Sequence, residues 1–169
     1  IIVVIKWDLV DPGVVFENGK MQKADMTKIT KFTNKFRDEC PFLNFAPLVF
    51  ISAQENFSIN AVLDTAIIAA QNHAHRIPTG ELNRIMRESV ERRPHSAHGK
   101  SLKIYYATMA SVEPPTIILF CNDPELCHFS YQRYLENRLR ELYPLEGTPI
   151  RLFIRAADKR DRAHNGAAF

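Results

Sequence analysis

Two short, continuous apolar runs, residues 1–5 and 48–51, frame the first part of the chain. Runs of this kind are typical of parallel strands that are buried on both faces. Apolar residues between them recur at roughly helical spacing, which predicts a crossover helix joining two parallel strands. The residues that carry this spacing are Met21, Ile29, Phe32 and Phe36.

A second helix is predicted after the second run, through about residue 74, by a regular apolar face. Arg76-Ile77-Pro78 then interrupts the pattern, because proline disfavours helix in the residue before it. We place a domain boundary there. The apolar face consists of Ile59, Val62, Leu63, Ala66, Ile67 and Ala70.

Beyond Pro78 the pattern predicts helix, strand, strand, helix, strand. Thr79 is a good N-cap for the first helix, and Asp123-Pro124 is a strong start signal for the second. The segment 92–100 is predicted as a loop, and the strands are predicted at 102–108, 117–120 and 150–155. In the last strand, Ile150, Leu152 and Ile154 alternate with Arg151, Phe153 and Arg155.

The predicted fold class is therefore α/β plus α+β. Residues 1–75 form a unit of two parallel strands with helices, and 76–78 form a linker. Residues 79–156 form a three-stranded sheet backed by helices. Residues 157–169 are polar and aperiodic, so we expect a disordered tail there.

Composition indicates a soluble globular protein, with no apolar run near the roughly 20 residues of a membrane helix and no signal-peptide pattern. We therefore expect no membrane partner and a cytoplasmic location, or the equivalent organellar stroma or matrix. The three cysteines lack C-x-x-C spacing, and no acidic or cysteine cluster completes a ligand set around the histidines. We predict no metal site and no catalytic residues.

Charge is uneven along the chain. Residues 1–75 hold 7 Lys and Arg against 8 Asp and Glu, whereas residues 76–169 hold 15 against 11. Twelve of those 15 basic residues are arginine, whose planar fork of donors suits phosphate and stacks on bases. The second half is thus the candidate nucleic-acid surface, although an ordinary solvated basic face would look the same.

Lys6-Trp7-Asp8 and Ser52-Ala53 follow the two apolar runs and resemble the guanine-reading motifs of a GTPase. Guanine offers two adjacent donors that one carboxylate accepts as a fork, which is the role of Asp8. Lys6 can lay its methylene stem over the purine, and the Ser-Ala turn can aim a backbone N–H at O6. Ligands of parallel sheets lie at the carboxyl ends of strands, where these residues fall.

The sequence contains no match to the phosphate-gripping P-loop pattern G-x-x-x-x-G-K-[ST]. It also opens inside a predicted strand without an initiating methionine. We expect a fragment of a larger protein, with no GTP hydrolysis and at best very weak nucleotide binding.

Several long motifs resemble the C-terminal part of the EngA/Der-type GTPases, bacterial and organellar proteins with two GTPase domains followed by a KH-like domain. The resemblance covers residues 1–156. It rests most specifically on Arg76-Ile77-Pro78-Thr79-Gly80-Glu81-Leu82-Asn83-Arg84, His98-Gly99-Lys100, Leu102-Lys103-Ile104-Tyr105-Tyr106-Ala107-Thr108, Asn122-Asp123-Pro124-Glu125-Leu126, His128-Phe129-Ser130-Tyr131, Tyr134-Leu135-Glu136-Asn137-Arg138-Leu139-Arg140 and Glu146-Gly147-Thr148-Pro149-Ile150.

The resemblance implies that residues 1–75 end a second P-loop GTPase domain and that 79–156 form the KH-like domain. It implies GTP and Mg²⁺ as cofactors of the parent, not held by this chain, and a role in assembly of the large ribosomal subunit. Implied partners are ribosomal RNA and the parent's own GTPase domains. The family's base motif is Asn-Lys-x-Asp, and Ile5 stands in place of its asparagine, which puts guanine specificity in doubt.

Two functions remain open for the KH-like domain, which lacks the G-x-x-G loop of typical KH domains. It contacts RNA through basic residues, or it is a protein-interaction module that regulates a GTPase domain through Tyr105, Tyr106, Phe129 and Tyr131. An unrelated α/β enzyme is a third reading, but no nucleophile, base and orienter set supports it. The RNA-binding candidates are Arg84, Arg87, Arg92, Arg93, Lys100 and Lys103.

Overall fold

The computed structural model of the chain describes residues 1–10, 16–18, 20–21, 26–97, 99–143 and 145–158. These residues divide into two compact units. The first consists of Ile1–Asn72 with Glu146–Thr148, and the second of His73–Leu145 with the residues from Pro149 onward.

The first unit is a parallel strand pair with two helices. Strands β1 and β4 run parallel, with Ile2 opposite Leu48 and Val4 opposite Phe50. Helix α1 connects them, as the crossover pattern predicts. In chain order the elements are β1 (Ile2–Val4), β2 (Phe16–Glu17), β3 (Lys20–Met21), α1 (Met26–Glu39), β4 (Leu48–Phe50) and α2 (Ile59–His73).

Two predictions for this unit are wrong. Met21 lies in the antiparallel hairpin β2–β3 and not in the crossover helix, which begins at Met26. The turn between those strands contains Asn18 at a φ of 52°, a conformation that asparagine tolerates well. The β1 residues are half-buried instead of buried on both faces, because β1 has a single hydrogen-bonded neighbour among the described strands.

Trp7 anchors the core of the first unit. It is 2% exposed, and its ring meets Phe50 and Phe32 edge-on at centroid distances of 4.7 and 5.8 Å. Edge-to-face aromatic contacts of this kind stabilise beyond their buried area. These contacts fix the turn that follows β1 against both β4 and α1.

Helix α2 departs from its amphipathic pattern. The helix forms where predicted, but Ile59, Ile67 and Ile68 are exposed and Leu63 is 66% exposed. Periodicity shows only that these residues share a side of the helix. It does not require that another element cover that side.

The second unit is a three-stranded sheet with helices. Strand β8 is central, antiparallel to β7 and parallel to β9. The elements are α3 (Thr79–Arg92), a short hairpin of β5 (Ser96–Ala97) and β6 (Lys100–Ser101), β7 (Ile104–Ser111), β8 (Thr116–Cys121), α4 (Phe129–Leu142) and β9 (Arg151–Ala156). This is the predicted order with one addition, since the segment expected as a loop contains the β5–β6 hairpin.

One face of this sheet packs on the apolar sides of α3 and α4. Residues buried in this core include Leu82 and Met86 of α3, Leu119 of β8, and Leu135 and Leu139 of α4. Ile77, in the segment expected as a linker, is also buried there. Ala157, in the expected tail, donates its N–H to the Cys121 carbonyl, whereas residues 159–169 lie outside the described residues.

Asn83 of α3 binds the outer edge of β7. Its Oδ1 accepts from the Ala107 N–H at 2.8 Å, and its Nδ2 donates to the Ala107 carbonyl at 2.9 Å. A helix side chain thus pairs with the backbone groups that a further strand would take.

Both predicted helix starts are displaced. Thr79 is the first helical residue of α3 and Pro78 is its cap. Asp123 caps a 3₁₀ turn, Pro124–Leu126, whereas α4 begins later behind His128. A cap signal fixes the start of a turn, and the following residues decide whether that turn continues as an α-helix.

Candidate functional site

The carboxyl ends of β1 and β4 form one side-chain cluster. The Ile51 N–H donates to the Val4 carbonyl at 2.9 Å, and the Trp7 N–H donates to the Ile51 carbonyl at 3.0 Å. The ladder therefore continues past the strand ends and brings the turns containing Asp8 and Ser52 together.

Ser52 and Asp8 are in direct contact. Ser52 is fully buried, and its Oγ donates to Asp8 Oδ1 at 2.5 Å and accepts from the Glu55 N–H at 3.2 Å. The Ser52 N–H donates to the Phe57 carbonyl, so it is not directed at a ligand. Ser52 thus positions the carboxylate and closes its own turn, and of the Ser-Ala pair only Ala53 is left to supply an N–H to guanine O6.

The other two predicted guanine-site residues lie at the surface. Lys6 is exposed and has a left-handed backbone, with φ 54° and ψ 43°, and Ala53 is also exposed. Ile5 is 62% exposed at the position where the resemblance implies asparagine. The cluster therefore presents the Asp8 carboxylate, held by Ser52, beside an exposed lysine and an exposed apolar side chain.

Three of the six basic candidates lie on α3, with Arg84 and Arg87 in its middle and Arg92 at its last position. The Arg84 guanidinium forms ion pairs with Glu88 at 2.7 Å and Glu81 at 3.5 Å, and both raise its pKa. Its charge is thus offset locally. Arg87 is exposed and lines a cavity of about 370 Å³ at the outer edge of β7, together with residues that include Asn83 and Tyr106.

Arg92, at the end of α3, is exposed together with Arg93, Lys100 and Lys103, and these four residues flank the loop after α3 and the β5–β6 hairpin. The guanidinium of Arg93 lies 5.4 Å from the ring centroid of Tyr134. Lys103 lines a second cavity of about 350 Å³, whose lining also contains Glu91 and His95.

The four aromatic candidates for a protein interface differ in exposure. Tyr131 is buried, stacks on His95 and donates to the Arg93 carbonyl at 2.9 Å. Its burial raises the pKa of its hydroxyl to about 12. Tyr105 and Tyr106 are half-buried, and Phe129 is 65% exposed beside Arg133.

No role is predicted from the sequence for the β9 side chains Arg151, Phe153 and Arg155, all of which are exposed. The alternation of apolar and polar residues in that strand is the signal that separates them from the core side. Phe120 of β8 lies on the same side of the sheet and stacks on Tyr106 at a centroid distance of 4.3 Å.

The described part of the chain contains no group of three or more His, Cys, Asp or Glu residues placed to hold a metal ion. Cys121 and Cys127 are both buried, and desolvation raises their thiol pKa values to about 11 and 12. None of the helices in that part is both long and apolar enough to cross a membrane.

Comparison with known proteins gives consistent matches. A family model described as the KH-domain-like, C-terminal domain of EngA bacterial GTPase enzymes matches residues 76–155. The GTPase Der of Geobacillus sp. (strain WCH70) is 43% identical over 156 residues, which is 92% of this chain and 33% of that relative. The GTPase Der of Brevibacillus brevis is 44% identical over 156 residues, with the same coverage.

The GTPase Der of Alkaliphilus metalliredigens is 43% identical over 162 residues, 95% of this chain and 34% of that protein. The chain thus spans about a third of the length of the curated relatives it matches.

Proposed function

Because the chain belongs to the EngA/Der family of GTPases, we propose that it is the C-terminal portion of a GTP-binding protein that acts in assembly of the large ribosomal subunit. In this proposal the first unit supplies the guanine-recognition end of a nucleotide site, and the second unit contacts ribosomal RNA. The protein acts in the cytoplasm or its organellar equivalent, with no membrane partner.

The observation that supports a guanine site is the hydrogen bond from the buried Ser52 to the half-buried Asp8 at the carboxyl ends of parallel strands. A carboxylate held in one orientation can accept both the N1 and N2 hydrogens of guanine, which adenine cannot offer together. Lys6 covers the purine face, and Ala53 faces O6 through its backbone. These residues fit the base of GTP.

Tight binding of GTP also requires a P-loop, whose backbone holds the phosphates and whose Ser or Thr hydroxyl binds Mg²⁺. The sequence of these 169 residues has no match to the P-loop pattern. We predict that this chain does not hydrolyse GTP and binds it very weakly. Titration of the chain with mant-GTP tests this, and a dissociation constant below 1 µM would refute it.

Guanine selectivity can be tested on Ile5. If the family's asparagine at this position contributes one polar contact, Ile5→Asn should tighten mant-GTP binding by about 0.5 to 1.5 kcal/mol, or 2- to 13-fold. Asp8→Ala is the matching control, because it removes the carboxylate that would accept from guanine, and it should abolish any preference for GTP over ATP.

RNA contact by the second unit is supported by its exposed basic residues, Arg92, Arg93, Lys100 and Lys103, which cluster around one loop and hairpin. A protein that neutralises Z phosphates with its cations has a binding constant that falls as salt is added. The slope of log K against log salt concentration is near −0.9Z for duplex and −0.7Z for single strands. Changing all four to glutamine should reduce that slope for a ribosomal RNA fragment. If the slope does not change, this cluster is an ordinary solvated surface.

A protein-interaction role is the second candidate, because Phe129 is exposed on α4 with Arg133 beside it. Exposed aromatic and arginine side chains are enriched in protein interfaces. Phe129→Ala should then weaken binding of a GTPase domain from the same family while leaving RNA binding unchanged, as measured by calorimetry and fluorescence anisotropy.

A further inference from the structure

One face of the sheet of the second unit packs on α3 and α4, and the side chains of its other face are exposed or half-buried. Strand residues alternate between the two faces. On β8, Ile117, Leu119 and Cys121 are buried toward the helices, and on β9, Leu152 and Ile154 pack against the same core. The residues between them point the other way, and we call this side the open face: Tyr106, Ile118, Phe120, Arg151, Phe153 and Arg155.

The strand registers place these six residues side by side. Tyr106 is opposite Phe120, Phe120 is opposite Arg155, and Ile118 is opposite Phe153. With strands about 4.8 Å apart and residues about 3.3 Å apart along each strand, Phe153 lies roughly 8 Å from Phe120. The face therefore carries two separate aromatic positions.

The two aromatic positions differ in exposure, because Phe153 is exposed whereas Tyr106 and Phe120 are half-buried. Tyr106 and Phe120 stack at 4.3 Å with a 9° angle between their rings, which holds the pair as one unit. Phe153 is 51% exposed, which is unusual for a large apolar side chain in the middle of a strand. An exposed apolar side chain of this size in a rigid element, next to others of its kind, is typical of a binding surface.

The charge of the open face is positive only. Strands β7, β8 and β9 contain no Asp or Glu, and Arg151 and Arg155 are both exposed on either side of Phe153. None of the ion pairs recorded among the described residues involves these two arginines. A protein-docking face would be expected to carry mixed charge, whereas arginines without acidic neighbours complement phosphate.

The open face continues into the cavity at the outer edge of β7. Tyr106 belongs to both, and the cavity also has Arg87 and Thr108 in its lining. An RNA strand that crosses from β9 to β7 would thus pass Arg151 and Arg155 first and the aromatic rings after them.

We propose that the open face binds single-stranded RNA, with Phe153 and the Tyr106–Phe120 pair stacking on bases and Arg151 and Arg155 contacting phosphates. Sheets with exposed aromatic side chains bind unpaired bases in this way, and the bases of a duplex are not available for it. This inference rests on the proposed RNA-contacting function of the second unit, and it names the surface and the form of RNA.

The test is fluorescence anisotropy of the full 169-residue chain with a labelled 12-nucleotide single-stranded RNA of mixed sequence. Phe153→Ala should weaken binding roughly 5- to 150-fold, the range seen when one stacking side chain is removed, with no change in salt slope. Phe153→Trp should retain the affinity, and Phe153→Leu should not, because leucine is apolar but cannot stack. The double change Arg151→Gln and Arg155→Gln should lower the magnitude of the salt slope by about 1.4.

Matched controls lie on α4, where Phe129 is likewise exposed with an arginine, Arg133, at its ring. Phe129→Ala and Arg133→Gln remove the same groups from a surface outside the open face and should leave affinity and slope unchanged. Circular dichroism spectra of all variants should overlay, and the Trp variant keeps the test decisive if Phe153→Ala unfolds.

Each outcome separates the two proposals. If the unsubstituted 169-residue chain binds neither this RNA nor a ribosomal RNA fragment at low salt, both the proposed function and the open-face inference are wrong. If it binds RNA and only the Arg92, Arg93, Lys100 and Lys103 variant is affected, RNA contact holds and the open-face inference is wrong. The open-face inference would also be overturned if the chain bound duplex and single-stranded RNA with equal affinity. The same holds if Phe153→Ala weakened binding of a protein partner and left RNA binding unchanged.

Discussion

The hydrogen bond from Ser52 to Asp8 should be a major stabilising interaction of the first unit. Ser52→Ala removes it together with the bond that Ser52 Oγ accepts from the Glu55 N–H. A hydrogen bond to a carboxylate contributes about 1.5 to 3 kcal/mol and a neutral one about 0.5 to 1.5. Ser52 is fully buried, so water cannot replace its hydroxyl, whereas Asp8 is half-buried and regains some solvent. We therefore expect a loss of about 2 to 3 kcal/mol.

The chain contains its own reporter for this experiment. Trp7 is the single tryptophan and lies next to Asp8 in the core of the first unit. Urea unfolding followed by tryptophan fluorescence should show a midpoint lowered by about 2 to 3 M, if the unit has an m-value near 1 kcal/mol/M. A nearby serine change, Ser58→Ala, is the control, because no side-chain hydrogen bond of Ser58 is recorded among the described residues.

A double-mutant cycle assigns the energy to the pair. Combining Ser52→Ala with Asp8→Ala should reveal a coupling of at least 1.5 kcal/mol, since the two side chains are in direct contact. The reasoning is refuted if Ser52→Ala shifts the midpoint by less than 0.5 M, or if the two changes are simply additive.

Gly147→Ala should destabilise the first unit by about 2 kcal/mol or more, because φ is +78° there and the new Cβ would lie 2.4 Å from an α2 side chain; Gly80→Ala, which meets open space in α3, should be neutral or stabilising by up to about 1 kcal/mol. Calorimetry compares the melting temperatures of the two variants, and equal shifts would contradict the expected strain at position 147. Asn83→Ala should cost about 1 to 3 kcal/mol and speed hydrogen exchange of the Ala107 amide, and an unchanged exchange rate would argue against the edge contact. Burial raises the pKa of Tyr131 to about 12, from about 10 when unfolded, so the folded state keeps this proton longer. Its contribution to stability should be complete below pH 10 and disappear between pH 10 and 12; Tyr131→Phe should remove that part of the pH dependence in denaturant titrations.

Local sequence patterns predicted much of the fold because they reflect local physics. Continuous apolar runs identified β1 and β4, and helical spacing identified α3 with its buried Leu82 and Met86. The patterns missed the short hairpin β2–β3. The hairpin β2–β3 has Asn18-Gly19 in its sequence, a strong turn signal that helical spacing around Met21 obscured.

The candidate sites were less predictable for a different reason. Sequence order places Asp8 and Ser52 after parallel strands, but it does not say that the Ser52 N–H is already used by Phe57. In β9 the alternation separates Arg151 from Leu152, yet which side is covered depends on the position of helices far away in sequence. Burial is a property of the assembled unit, so exposure at Phe153 or Leu63 could not be read from either residue's own neighbourhood.

The pairing of Asn83 with Ala107 also bears on how the protein avoids aggregation. A sheet edge with unpaired N–H and C=O groups is a template for another copy's strand, and such pairing leads toward fibrils. On β7 the template is interrupted at its middle by a helix side chain. On the opposite edge, β9 carries two exposed arginines that would repel those of a second copy. Both edges of the sheet are thus protected from intermolecular strand addition, and losing Asn83 would open one of them.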